Sequence, residues 1–275
     1  MSRVAIYRVL YGEDFVKQSI NSIIENVDHV FVFYAQKPWG KSTGVNYRGK
    51  HYEWPEKFDN IVEKCKEMDN EKIHIIEDQR TTPKNQYALL AHRVQDEFGI
   101  KISTAVYMEP DQVFGIDRFK KCIEAFESCE YSIAAHQQIE LWKSPAYRIA
   151  KRNRLGAFLY NIEKLGRIPT TGFSGSPDRD AIVPSNEEIY NFGFCFNKRT
   201  MFWKHLTAIA FSAEIGDSKP SESWYEEKWL NWTINTEDLE ISERFTHTIK
   251  RAVPCPFPYA MRDFMSSDGA IHETR

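Results

Sequence analysis

Glu109 and Asp111 stand one residue apart around Pro110, where the apolar run "TAVYM" ends. A proline between two carboxylates stiffens the backbone and fixes their directions. Paired hard oxygens of this kind suit Mg2+ or Mn2+, whose remaining positions are usually filled by water and phosphate oxygens. A purely local use is also open to them, as caps for a helix beginning near Asp117.

The elements that must position these acids are legible in the pattern around them. Val4 to Leu10 is an apolar strand, and from Asp14 the positions Val16, Ile20 and Ile23 recur at helical spacing. "HVFVFYA" is a second strand, and the Pro, Gly and Ser of "QKPWGKSTGVNYRGKHYEWP" predict a loop without regular structure. Residues 56–67 read as helix, "KIHIIED" as a third strand, and Tyr87, Leu90, Ala91, Val94 and Phe98 form one apolar face of a helix opening near Pro83. "TAVYME" is the fourth strand, followed by a helix with Phe119, Cys122, Ile123 and Phe126 on one face and by a strand "YSIAAHQ". Such alternation predicts an α/β fold with a mostly parallel sheet flanked by helices. In open parallel sheets ligands gather outside the carboxyl ends of the strands, which is where Glu109 and Asp111 fall.

Composition narrows the setting. A chain of 275 residues fits one large domain, and a net charge of -3 excludes an overall basic field that would recruit nucleic acid. No segment approaches the roughly 20 apolar residues of a membrane span. Five scattered cysteines without a C-x-x-C pair suit reduced thiols, so the expected setting is a soluble, cytoplasmic protein.

The order of these strands and helices over residues 3–115, ending in "AVYMEPDQVF", resembles the nucleotide-sugar-binding half of GT-A glycosyltransferases, most closely glycosyltransferase family two. The resemblance implies a Rossmann-like single domain, with residues 1–137 as the nucleotide-sugar half and a looser acceptor half over 138–275. It implies transfer of a sugar from a nucleotide-sugar donor, a UDP-sugar foremost, to an acceptor hydroxyl. Glu109 and Asp111 take the place of the family's acidic motif and would bind Mn2+ or Mg2+, with a late histidine, His247, completing the site and Lys250 and Arg251 meeting the diphosphate. Arg8, Tyr34, Asp78 and Asn85 match nucleotide-facing positions. The family's base-holding aspartate at the end of the second strand is replaced by Phe33-Tyr34-Ala35-Gln36, leaving Tyr34 to stack on a base and Gln36 to bond it.

The second half offers the acceptor side. "KSPAYRIAKRNR" gathers Lys143, Arg148, Lys151, Arg152 and Arg154 without an acid, which suits phosphates or a solvated basic face. "IPTTGFSGSPDRDAIVPSN" has the length and composition of a lid, and "EIYNFGFCF" reads as a strand leading into a helix from Lys198. In "SESWYEEKWLNW", Tyr225, Trp229 and Trp232 share a helical face with Glu222 and Glu226 at its border. A carboxylate beside apolar rings holds its proton more tightly, as a general base for a hydroxyl should. Glu222 comes first for that role and Glu226 second, since Ser223-x-x-Glu226 also spells a capping box. Trp224, off the shared face, is placed to stack on a sugar, and Arg148 and Arg152 to meet the acceptor, a glycan or a hydroxymethylated DNA base. Two other classes share these features. A nucleotidyltransferase would need a Gly-rich phosphate loop after the first strand, where "LYGEDF" has only Gly12; a non-catalytic nucleotide- or sugar-binding module would need no base.

Overall fold

A computed structural model of the chain describes residues 1–38, 42–79, 86–115, 117–150, 154–168, 182–215, 221–239 and 251–255. The first half follows the pattern of its sequence. Strand β1 (Ser2–Val9) lies between β2 (His29–Tyr34) and β6 (Ile102–Met108), and β5 (Ile73–Glu77) extends the sheet beyond β2, all parallel. Strands buried on both faces need apolar side chains on both, which is why β1 and β2 read as continuous apolar runs. Ala5, Tyr7 and Val9 pack against α1 (Val16–Asn21), α2 (Ile61–Lys66) and α4 (Arg118–Ser128), whose Phe119, Cys122, Ile123 and Phe126 are all buried. Val4 and Ile6 face the other way, onto Leu90, Ala91 and Val94 of α3 (Gln86–Phe98). The expected face of α3 ends early, because Phe98 is 42% exposed and meets only the rings of Phe31, edge-on, and His74 at the margin of the sheet.

The segment expected to be an irregular loop is in part a hairpin. Strands β3 (Gly44–Tyr47) and β4 (Lys50–Glu53) pair around Arg48 and Gly49, whose φ values of 49° and 74° are those of a tight I′-type turn. The short alternation of buried Val45 and Tyr47 with exposed Asn46 carries the signal, which the surrounding Gly, Pro and Ser obscure.

Beyond β6 the sheet is mixed and its neighbours pair mainly antiparallel, a correction to the expected mostly parallel architecture. The order runs β6, β10 (Arg154–Asn161), β8 (Ile133–Trp142), β9 (Ser144–Ile149) and β12 (Ala252–Pro254), each pairing antiparallel. β8 and β9 are separated by Lys143 alone, and a single residue has no room for the helical crossover that parallel neighbours require. Strand β11 (Ile182–Phe194) runs parallel to β8 and antiparallel to the short β7 (Gln112–Phe114), and leads into α6 (Lys198–Ile215). A second, aromatic core joins the end of β11, α6 and a π-helical turn (Tyr225–Leu230), through Trp142, Phe192, Phe194, Trp224, Tyr225 and Trp229. The expected division at residues 137 and 138 falls inside β8, so the sheet runs through it unbroken. No helix among the described residues is long and apolar enough to cross a membrane.

Candidate active site

Parallel strands in the order β5, β2, β1, β6 reverse direction of growth at β1: the chain moves outward to β2 and β5, then returns to the other side of β1 for β6. Loops leaving β1 and β6 therefore diverge, and the crevice between them is where open α/β sheets bind ligands. Both exits here are held in fixed shapes. After β1, Gly12 (φ 142°) lies so close to Pro110 that a Cβ would come within 2.6 Å of its ring, and the buried Asp59 carboxylate accepts from the N–H groups of Gly12, Glu13 and Ile61. After β6, the Glu109 N–H donates to Gln112 Oε1 at 3.0 Å and the Gln112 N–H to the Glu109 carbonyl at 3.1 Å, closing the turn that carries the two acids.

The two acids point into different surroundings. Glu109 is exposed, whereas Asp111 is 6% exposed, with its carbonyl accepting from the Phe192 N–H at 2.7 Å. Asp111 Oδ2 lies 3.6 Å from the Lys204 ammonium, and Asp111 Oδ1 has no hydrogen-bond partner among the described residues. An unmatched buried polar atom costs about 1–3 kcal/mol, so this oxygen is one that a ligand would satisfy. Lys204 in turn donates to the Gly193 carbonyl at 2.6 Å and lies near the rings of Phe194 and Phe196. Gly193 is the space between these groups: a Cβ there would meet Asn191 Oδ1 and the Lys204 ammonium at 2.8 Å and Asp111 Oδ2 at 2.9 Å. Tyr11 closes the other side, its phenol pushed up by burial, lowered somewhat by its bond to Thr207, raised again by Asp111 and Glu109, and lowered by Arg8. Arg8, Glu109 and Asp111 thus all act electrostatically on one phenol. The capping alternative for the acids fails, because β7 intervenes before α4, and Asp117 at that helix's start has φ 58° and no side-chain cap bond.

Other expected residues are placed less simply. Asp78, at the end of β5, accepts from Arg93 at 2.8 Å, and Arg93 also pairs with Glu97 and lies 5.2 Å from the Phe33 ring. Tyr34 is half-buried, its hydroxyl 3.4 Å from Glu77, with burial and then Glu77 pushing its phenol up. Arg148 and Arg251 are both exposed at the β9–β12 edge, separated from β6 by β8 and β10. Asn85, Arg152, His247 and Lys250 lie outside the described residues, as does most of the expected lid.

The π-helical turn departs from the amphipathic α-helix expected there. Trp224 is 1% exposed and its indole N–H donates to the Leu239 carbonyl at 2.9 Å, so its ring has no face open to a sugar. The capping box does not form: Glu226 instead accepts from the Tyr47 hydroxyl at 2.9 Å and pairs with Arg48 at 3.3 Å, both from the hairpin. Glu222 is exposed, and its carbonyl also lies 2.8 Å from the Tyr47 hydroxyl. His205, buried between Tyr47, Trp224 and Tyr225, has its imidazole lowered to about 4 by burial, against the opposing pull of Glu226.

Tyr11, Asn191, Gly193, Lys204 and Thr207 were not singled out in the sequence. Lys204 had a signal: it is the lone cation in "FWKHLTAIAFS". Asn191 and Gly193 had none, since their role depends on the chain crossing of β7 and β11.

The chain is similar to solved structures of S. aureus TarS. TarS residues 1–349 align with a TM-score of 0.41 at 11% identity, over 84% of this chain and 71% of that one. The complex with UDP-GlcNAc gives 0.41 at 9%, over 84% and 72%, and the complex with UDP gives 0.39 at 10%, over 89% and 77%. Neither a protein-family model nor a curated protein matches the chain.

Proposed function

We propose that this chain is a glycosyltransferase that moves a sugar from a nucleotide-sugar donor, a UDP-sugar foremost, to an acceptor hydroxyl on a glycan or a hydroxymethylated DNA base. The observation that carries this reading is the placement of Glu109 and a buried Asp111 with one unpartnered oxygen at the crevice between β1 and β6. The donor groups fit Mg2+ or Mn2+ in kind, being hard carboxylate oxygens. Among the described residues no three His, Cys, Asp or Glu form a ready-made cage, so Glu109 and Asp111 would hold the cation together with water and the donor's phosphate oxygens. When bound, the cation supplies positive charge to the diphosphate that leaves.

The chain's own groups do the rest. Lys204 lies 3.6 Å from Asp111 Oδ2, and the buried Oδ1 has no hydrogen-bond partner among the described residues. Arg8, beside Tyr11, adds a positive charge on the same edge. The acceptor oxygen attacks the anomeric carbon as its bond to the diphosphate breaks, and the hydroxyl proton passes to a carboxylate. Glu226 is committed to Tyr47 and Arg48, which leaves the exposed Glu222 as the base. Incubation with a panel of nucleotide sugars and Mn2+ tests the reading. Release of nucleoside diphosphate from a sugar donor supports it, release of pyrophosphate from a nucleoside triphosphate and a sugar phosphate indicates nucleotidyl transfer, and silence across the panel indicates a binding module.

A further inference from the structure

The end of the sheet opposite the crevice holds a pair of histidines that the transferase reading does not use. His29 opens β2, and His74 is the second residue of β5, the parallel strand beside it. Both therefore lie at the amino ends of the parallel strands, whereas Glu109 and Asp111 follow the carboxyl end of β6. Side chains alternate along a strand, which sends His29 and Phe31 to one face of the sheet, and the register sets His74 beside Phe31 on that face. His29 Nδ1 and His74 Nε2 meet there at 3.2 Å, with ring centroids 5.4 Å apart.

Aromatic rings fix the pair in place. Phe31 stacks on His74 with centroids 4.5 Å apart and 20° between the planes, and Phe98, from the end of α3, stands edge-on to Phe31 at 5.0 Å and 6.4 Å from His74. Both imidazoles are half-buried, so water still reaches them. In the free chain one of the facing nitrogens carries a proton and donates it to the other. Two imidazole nitrogens bound to one ion at about 2.0–2.1 Å stand about 2.9–3.4 Å apart, for angles from square to tetrahedral, and the observed 3.2 Å falls in that interval. An ion can thus replace the shared proton through small side-chain rotations, with neither strand moving. Burial, and then His29, lowers the His74 imidazole, which favours the unprotonated form that coordinates. Asp28, next to His29, turns its Oδ2 to the Arg3 N–H at 2.8 Å, and among the described residues no three His, Cys, Asp or Glu gather, so the remaining positions fall to water.

We propose that His29 and His74 bind a late first-row divalent cation, Zn2+ foremost, that bridges β2 and β5 and keeps its other positions for water. Imidazole nitrogen suits Zn2+, Ni2+ and Cu2+, whereas Mg2+ and Mn2+ prefer the oxygens of carboxylates and phosphates. β5 ends the strand order and pairs with β2, so an ion shared by these two strands ties that edge to the sheet. Neither the transferase reaction nor the Glu109 and Asp111 pair enters into this site. With Mg2+ in excess to occupy carboxylate sites, Zn2+ is titrated calorimetrically into the full chain and into H29Q, H74Q, H92Q and D111N. His92, exposed on α3, serves as a histidine outside the pair.

The expected result is saturable binding by the wild type, weakened at least about tenfold in H29Q and in H74Q and unchanged in H92Q and in D111N. His29 stands at the first position of its strand, so H29Q remains informative if H74Q disturbs the packing on Phe31. Equal binding by the wild type and both pair variants, weakening in only one of the two when both are folded, or no binding at all overturns the site. Loss of binding in H92Q or D111N assigns the ion elsewhere and overturns it as well. None of these outcomes decides whether nucleotide sugars turn over, which the release assay reads independently.

Discussion

At the scale of single residues the account separates acids that look alike in sequence. Glu222 and Glu226 share the border of one aromatic face, yet the fold gives Glu226 two partners from the hairpin and leaves Glu222 exposed. Loss of a general base typically lowers turnover about 10²–10⁴-fold. E222Q is expected to fall in that range with KM for the donor little changed, whereas E226Q is expected to lose stability and keep most of its turnover. Equal turnover by E222Q and wild type would remove Glu222 from the reaction. Glu109 and Asp111 were legible because strand-end acids around a proline announce themselves by type and spacing. Lys204 stood out only as a lone cation, without its partner, and Gly193 not at all, because a salt link and a missing side chain take meaning only from what β11 and α6 bring to Asp111. Trp224 differs from its expected place for a related reason: just ahead of the π turn it is buried against Trp142, Phe194 and His205, elements far from it in sequence.

Among the elements, the β3–β4 hairpin is the one sequence composition hid and the one that ties the second half together. Tyr47 is its anchor, buried against Phe202 and His205, with its hydroxyl between Glu226 and the Glu222 carbonyl. Burial, then Glu226, pushes that phenol up, so it stays a donor throughout the ordinary pH range. Removing only the hydroxyl, as in Y47F, takes the hydrogen bond from Glu226 and leaves Arg48 as its partner. A hydrogen bond to a charged group contributes about 1.5–3 kcal/mol, and chemical denaturation should show a loss toward the lower end. An unchanged midpoint would mean that the hairpin does not depend on this contact. The helices of the first half were legible because each has a clear apolar face, as α4 does, while the pairing of the later strands depends on connections whose lengths constrain but do not name the partner.

For the whole molecule, buried titratable groups set the pH response. Burial lowers His136 and His205 to about 4, so both stay neutral when folded and gain a proton on unfolding below their ordinary value of 6.5. Their contribution is present above pH 6.5 and is lost as pH falls toward 4. Burial pushes Asp59 the other way, up to about 6 despite its three backbone N–H donors. Its proton is held more tightly in the folded state, so its contribution is present below 3.8 and is lost as pH rises through 6. Two groups against one predict a lower Tm at pH 5 than at pH 7, and a steeper drop in D59N, where the opposing group is gone. A chain more stable at pH 5 than at pH 7 would contradict this assignment. The sheet is parallel over β5, β2, β1 and β6, whose crossovers contain helices, and mixed beyond β6, where β6–β10 and β9–β12 pair across long stretches of sequence, so its first half was readable from periodicity and its second was not.

The most direct test is a titration of Mn2+ followed by electron paramagnetic resonance, with and without UDP, on the wild type and D111N. The account predicts that UDP tightens Mn2+ binding to the wild type, and that replacing Asp111 by asparagine weakens the UDP-bound ion at least about tenfold with the fold intact. Mn2+ binding in D111N equal to the wild type, or no response to UDP in either, would contradict it.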